Sequence, residues 1–108
     1  MIYDHRTYTC RPGTIRKHMA LYAEHGWRVQ SRHLGMPVVY GAVETGNVNS
    51  YVHIWVYEDA ADRAAKRSAL AADPAWSAYL KLSAEAAYLV NQVNQILTPA
   101  AFFEPPQS

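Results

Sequence analysis

Ser50-Tyr51-Val52-His53-Ile54-Trp55-Val56-Tyr57-Glu58 is the stretch on which the fold turns. Its residues alternate without a break, Val52, Ile54 and Val56 to one side and Tyr51, His53, Trp55 and Tyr57 to the other, which is the period of a β-strand. Large side chains on both sides need cover on both faces, so the strand reads as central in its sheet. Just before it, Gly46-Asn47-Val48-Asn49 offers residues that tolerate positive φ. The segment 36–45, built on Val38, Val39, Tyr40 and Val43, then reads as the other arm of a hairpin. Just after it, Asp59 is a good N-cap with Asp62 at the third helical position, and the alanine-rich segment 60–72 favours helix. Asp73-Pro74 restarts a helix in the favoured order, cap then proline, with Trp76, Tyr79 and Leu80 on its apolar side.

Toward the ends, residues 2–11 alternate as a strand that Pro12-Gly13 terminates. Ile15, Met19, Tyr22 and Val29 mark one helix of about four turns, locally weakened at Gly26. Residues 88–98 read as a last strand, and Pro99, Pro105 and Pro106 make 99–108 a proline-rich tail. The expectation is a single α+β domain over residues 1–98: a ferredoxin-like βαββαβ unit with a four-stranded antiparallel sheet. Its two helical segments cover one face only. A second copy packed face to face, as in a dimeric α+β barrel, is expected to cover the other, giving a homodimer able to assemble further.

Half of the 108 residues are hydrophobic and the net charge is +1, so no overall field gathers nucleic acid or an anionic membrane. Asp59 and Asp62 sit four residues ahead of Arg63 and Lys66, so the basic cluster Arg63, Lys66 and Arg67 reads mostly as a solvated helix face, with a phosphate or carboxylate site as the alternative. Cys10 is the only cysteine, which excludes an internal disulfide and a multi-thiolate zinc site. The first nine residues, with Asp4, His5 and Arg6, do not resemble a signal peptide, and nothing approaches the roughly 20 apolar residues of a membrane span. A cytoplasmic protein with neither membrane nor nucleic-acid partner is expected.

The chemistry-bearing constellation is His53, Trp55 and Tyr57: an imidazole, an indole and a phenol on one strand face, joined by Tyr40 from the hairpin partner. His53 suits proton transfer, Tyr57 or Tyr8 suits stabilisation of an oxyanion, and Trp55 suits stacking on a ligand. The same row suits a sheet-on-sheet subunit contact equally well. Arg6 could hold a substrate carboxylate, although pairing with Asp4 or Glu44 is the commoner use of such an arginine. His25 with Trp27, flanking Gly26, is a candidate pocket lid. His18, His25 and His33 are spaced too widely for two metal ligands on adjacent turns, and no HExxH or Cys-His pattern is present. No metal and no tightly bound cofactor is expected; GxSxG, GxGxxG and P-loop motifs are absent as well. Asn91, Gln92, Asn94 and Gln95 make an amide-rich last strand whose groups need partners, most simply across a dimer.

Arg6-Thr7-Tyr8 followed by Pro12-Gly13, then Val52-His53-Ile54-Trp55-x-Tyr57, Arg63, Arg67, Ala69-Leu70, Asp73, Trp76, and finally Gln92 with Ile96, resemble the NIPSNAP family in order and spacing over about nine tenths of the chain. Val93, where the pattern has an acid, and Cys10, where it has an aliphatic residue, depart from it. The resemblance implies the dimeric α+β barrel but no particular reaction, because that superfamily includes monooxygenases, cyclases, isomerases, haem proteins and binders. The leading expectation is a small-molecule enzyme or binder, acting without a tightly bound cofactor on an apolar or aromatic oxygenated metabolite. Its chemistry would be proton transfer, cyclisation or isomerisation, or monooxygenase-like. The alternative is a non-catalytic homodimeric assembly or partner-binding protein.

Overall fold

In the computed structural model, which describes residues 1–105, the strand that decides the fold lies where its two-sided pattern requires. The elements are β1 (Ile2–Cys10), α1 (Ile15–His25), α2 (Trp27–Leu34), β2 (Val39–Ala42), β3 (Ser50–Tyr57), α3 (Ala60–Ala71), α4 (Pro74–Ala86) and β4 (Leu89–Leu97). The sheet order is β2-β3-β1-β4 with every pairing antiparallel, so β3 and β1 are central and β4 is an edge. This is the α+β ferredoxin-like fold. Among the described residues no helix is long and apolar enough to cross a membrane.

Local chemistry sets most boundaries. Asp59 caps α3 by accepting from the Asp62 amide at 2.8 Å, while Asp62 reaches back to the Glu58 amide at 2.9 Å, a reciprocal arrangement that satisfies amides the helix leaves free. Asp73 caps α4 from the Ala75 amide, with Pro74 in the first turn. Its second oxygen receives Arg32 at 2.7 Å and His33 at 2.8 Å, tying α2 to the start of α4. Two boundaries differ from expectation. The second strand is only four residues, although single bonds from the Val38 and Val43 amides extend the pairing at each end. The expected single first helix is two, broken at Gly26. The tail expected over 99–108 makes a turn in which the Phe103 amide bonds the Ala100 carbonyl, and Pro106 lies outside the described residues.

Gly26 is demanded by contact rather than by an unusual dihedral, since its φ is −115°. A Cβ there would stand 2.8 Å from Cδ1 of Tyr22 and 3.2 Å from Cδ1 of Tyr79. Both rings would have to move. Gly26→Ala is expected to lower stability by about 1–3 kcal/mol, the usual cost of overpacking, and thermal unfolding that matches the parent protein would contradict this.

Register assigns the faces. Asp4, Arg6 and Tyr8 of β1, Tyr51, His53, Trp55 and Tyr57 of β3, and Tyr40 of β2 share the face beneath the helices. Val29, Leu34, Trp55, Tyr57 and Leu70 form the core there. The opposite face carries Thr7, Val52, Ile54, Val56, Val39, Val93 and Leu97 and has no helix over it; Val39, Val93 and Leu97 are more than 40 % exposed. The aromatic row of β3 is therefore buried by the chain's own helices, so of its two expected uses the sheet-on-sheet contact is corrected; the face without a helix carries the valine and isoleucine row.

Candidate functional site

Under the helices, the sheet does not meet α1 and α4 tightly along its whole length. A cavity of about 510 Å³ remains, floored by β1 and β3 through Arg6, Tyr8, Tyr51 and His53 and roofed largely by α4, a size ordinary for a small-molecule pocket. Tyr40, Tyr22, Tyr79 and Trp76 give it aromatic walls, and Gln30, Arg67, Ser83 and Gln92 add polar ones. Tyr40 stacks on Tyr22 at 5.0 Å and on Tyr51 at 5.8 Å between ring centroids, so the walls support one another.

His53 is 2 % exposed and its protonation is fixed by its neighbour on the same strand face. The Trp55 indole N–H donates to Nδ1 of His53 at 2.7 Å. An indole nitrogen can only donate, so Nδ1 holds a lone pair and the neutral ring carries its proton on Nε2. That Nε2 is buried and has no protein partner. Burial, followed by the charge of Arg6, lowers the His53 pKa to about 3. The group is thus a neutral hydrogen-bond donor rather than a base at neutral pH, which revises the proton-transfer role expected of it.

Beside it, Arg6 donates to Asp4 Oδ2 at 3.0 Å and to the Tyr8 oxygen at 2.8 Å. Asp4, fully buried, also receives Arg63 at 3.0 Å and the Asn94 amide at 3.2 Å. The structural partner of Arg6 is therefore Asp4, not Glu44. Burial pushes the Asp4 pKa up, but the Arg6 hydrogen bond and charge, with Asn94 and Arg63, outweigh it and hold the carboxyl below its ordinary value. With its oxygen accepting from Arg6, the Tyr8 hydroxyl keeps its proton to donate elsewhere.

A second polar pair stands at the other end of the floor. His18 on α1, fully buried, meets the Tyr51 hydroxyl through Nε2 at 2.7 Å, and its Nδ1 has no partner. Burial lowers the His18 pKa and pushes the Tyr51 pKa well up. On the wall, the buried Tyr22 hydroxyl donates to Gln30, and burial raises Tyr79 to about 12. At neutral pH Tyr22, Tyr40, Tyr51 and Tyr79 are protonated phenols.

Of the residues singled out in the sequence, His53, Tyr8, Tyr40 and Arg6 line the cavity together. Trp55 does not: it is fully buried within the core and reaches the site only through its bond to His53. Tyr57 lies further along the strand beside Met1 and Lys66 in a separate shallow hollow, outside the cavity that Tyr8 lines. Trp27 is wedged against the rings of Tyr22 and Tyr40 from behind. His25 is exposed beside Glu24 at 3.7 Å. Neither is a lid over the cavity mouth. The sequence reading missed Tyr51 with His18, the α4 residues Trp76 and Tyr79, and Arg67. The signal for His18 is its four-residue spacing from Tyr22, which puts both on one side of α1.

Several known proteins resemble this chain. A family model described as NIPSNAP matches residues 3–104. The curated proteins contain no match. Among solved structures, a NIPSNAP family protein with unknown function from Agrobacterium tumefaciens is 35 % identical with a TM-score of 0.86, covering 95 % of this chain and 91 % of its own. An uncharacterized NIPSNAP domain protein from Burkholderia xenovorans is 31 % identical with a TM-score of 0.89, covering 97 % and 100 %. An antibiotic biosynthesis monooxygenase matches at 16 % identity and a TM-score of 0.63, covering 93 % and 99 %, a likeness of fold.

Proposed function

Because this chain belongs to the NIPSNAP family, in which shared fold assigns no reaction, we propose from its own cavity that it is a small-molecule enzyme or binder. The ligand is an apolar or aromatic oxygenated metabolite, held without a tightly bound cofactor. The observation that carries the reading is the buried, unpartnered Nε2 of His53 in a cavity of about 510 Å³. Buried donors without acceptors are costly, and a ligand oxygen would relieve that cost. A protein devoted solely to assembly has no use for it.

His53 Nε2–H and the Tyr8 hydroxyl, on adjacent strands with ring centroids 4.7 Å apart, would share one ligand oxygen and stabilise negative charge developing there, as in an enolate or phenolate. Such stabilisation serves isomerisation, cyclisation and cofactor-free oxygenation alike.

The open sheet face supports a homodimer. The accessible surface of the chain is 6979 Å², roughly 900 Å² more than a compact monomer of its mass exposes. Each partner in a standard interface buries about that much. Native mass spectrometry should find twice the 12.2 kDa chain mass; a strict monomer would sink the dimer.

The pocket reading is tested with 4-hydroxyacetophenone, a neutral probe, by calorimetry and by deuterium uptake at its methyl group. Binding is expected in the parent protein and should vanish in Ser83→Trp, whose indole fills the cavity. Accelerated uptake would add proton transfer to binding. Undiminished binding by the plugged variant, or none by either protein, would end the proposal.

A further inference from the structure

The cavity wall holds more positive charge than the fold uses. Two guanidinium groups, Arg6 and Arg63, hold the buried carboxylate Asp4 by hydrogen bonds, and a third, Arg67, reaches the cavity wall beside the Tyr57 phenol. Two guanidinium atoms are buried without a hydrogen-bond partner among the described residues, Nε of Arg6 and Nη1 of Arg67, and both residues line the cavity, one from β1 and the other from α3. The Arg6 side chain is only 12 % exposed. Guanidinium N–H groups are obligate donors with no acceptor function of their own, and their planar fork matches a carboxylate better than any neutral group.

We infer that the cavity selects a carboxylate-bearing ligand, an aryl or other apolar monocarboxylate whose acid group lies between Arg6 and Arg67 and whose body lies along the tyrosine walls. This rests on the pocket reading above and names the ligand class for that same site. The aromatic walls suit a flat body: Tyr40 and Tyr22 offer stacked rings, and Trp76 and Tyr79 face them from α4. The acid would restore charge balance where Asp4 alone cannot. It also separates two tasks, the arginines anchoring the ligand while His53 and Tyr8 address a second oxygen.

Phenylacetate and phenylacetamide, alike in shape and differing in charge, test this by isothermal titration calorimetry at pH 7.5. The acid should bind at least tenfold more tightly than the amide, with the preference shrinking as salt is raised. Arg67→Gln should remove most of that preference. Arg67 is the choice because it holds no carboxylate of the fold and stands only beside the Tyr57 phenol, whereas Arg6 holds Asp4. Equal binding of acid and amide would overturn the carboxylate inference and leave the pocket reading standing. Failure of both probes, together with 4-hydroxyacetophenone, would overturn the two readings at once. A full preference retained in Arg67→Gln would overturn the assignment to this pair of guanidinium groups. Should that variant fail to fold, the acid-to-amide ratio and its salt dependence in the parent protein still decide.

Discussion

Asp4→Asn should lower the stability of the domain by about 3 kcal/mol, the low end of the cost of unpairing a buried ion, and depress the melting temperature on the order of 15 °C for a domain of this size. The carboxylate is fully buried and takes bonds from Arg6, Arg63 and Asn94. The asparagine amide can accept at one oxygen but brings no charge, so two guanidinium groups lose their counter-ion. The low end applies because the Arg63 side chain is 30 % exposed and water can serve it. Arg6→Gln in the Asp4→Asn background should cost much less than in the parent protein, which a double-mutant cycle in urea would measure. A melting temperature within a few degrees of the parent would show that Asp4 is not the hub of this end of the sheet.

The second large effect is acid sensitivity well above the carboxylate range. The fold holds His53 neutral, with a pKa near 3 against an ordinary 6.5, so between those values the unfolded chain binds a proton that the folded chain refuses. Stability is then fully present above about pH 6.5 and declines as pH falls, by up to about 1.4 kcal/mol per pH unit. From pH 7 to pH 5, His53 alone should cost about 2 kcal/mol. His18, whose pKa burial also lowers, acts in the same direction. Asp4 adds its own loss only below its ordinary value of 3.8, since its folded pKa is the lower one. Urea unfolding at pH 5, 6 and 7 should show His53→Gln with a slope shallower by close to one proton. Identical slopes in the two proteins would mean that His53 charges freely in the fold.

Both effects belong to residues that the sequence made visible; the pairing of Asp4 with Arg6 was legible too, whereas the donor role of His53 was not. The alternation through β3 and the caps at Asp59 and Asp73 were legible because they depend on a few neighbouring residues. Alternation gives two faces without saying which one the helices cover, and the aromatic row lay on the covered face because its large rings fill the layer beneath α1 and α4. Arg63 and Arg67 were hidden by a plausible local explanation. The spacing of Arg63 and Lys66 from Asp59 and Asp62 matched helical ion pairs and Arg67 was grouped with them, yet only Lys66 pairs that way, at 3.2 Å, while Arg63 crosses to the sheet. Tertiary position decides between those choices and leaves no trace in spacing. The break at Gly26 was half legible: a weak point was visible, but the ring contact that requires glycine joins residues from two helices.

His53 connects the fold to the proposed chemistry, so its nitrogens offer the most direct test. Nitrogen-15 spectra of histidine-labelled protein, taken from pH 5 to pH 8 with and without phenylacetate, report its tautomer, its titration and its contact with a ligand together. The account predicts one neutral tautomer protonated at Nε2, unchanged across that range, with the Nε2 resonance displaced by the acid. Titration near 6.5, a proton on Nδ1, or a resonance unmoved at saturating phenylacetate would contradict it.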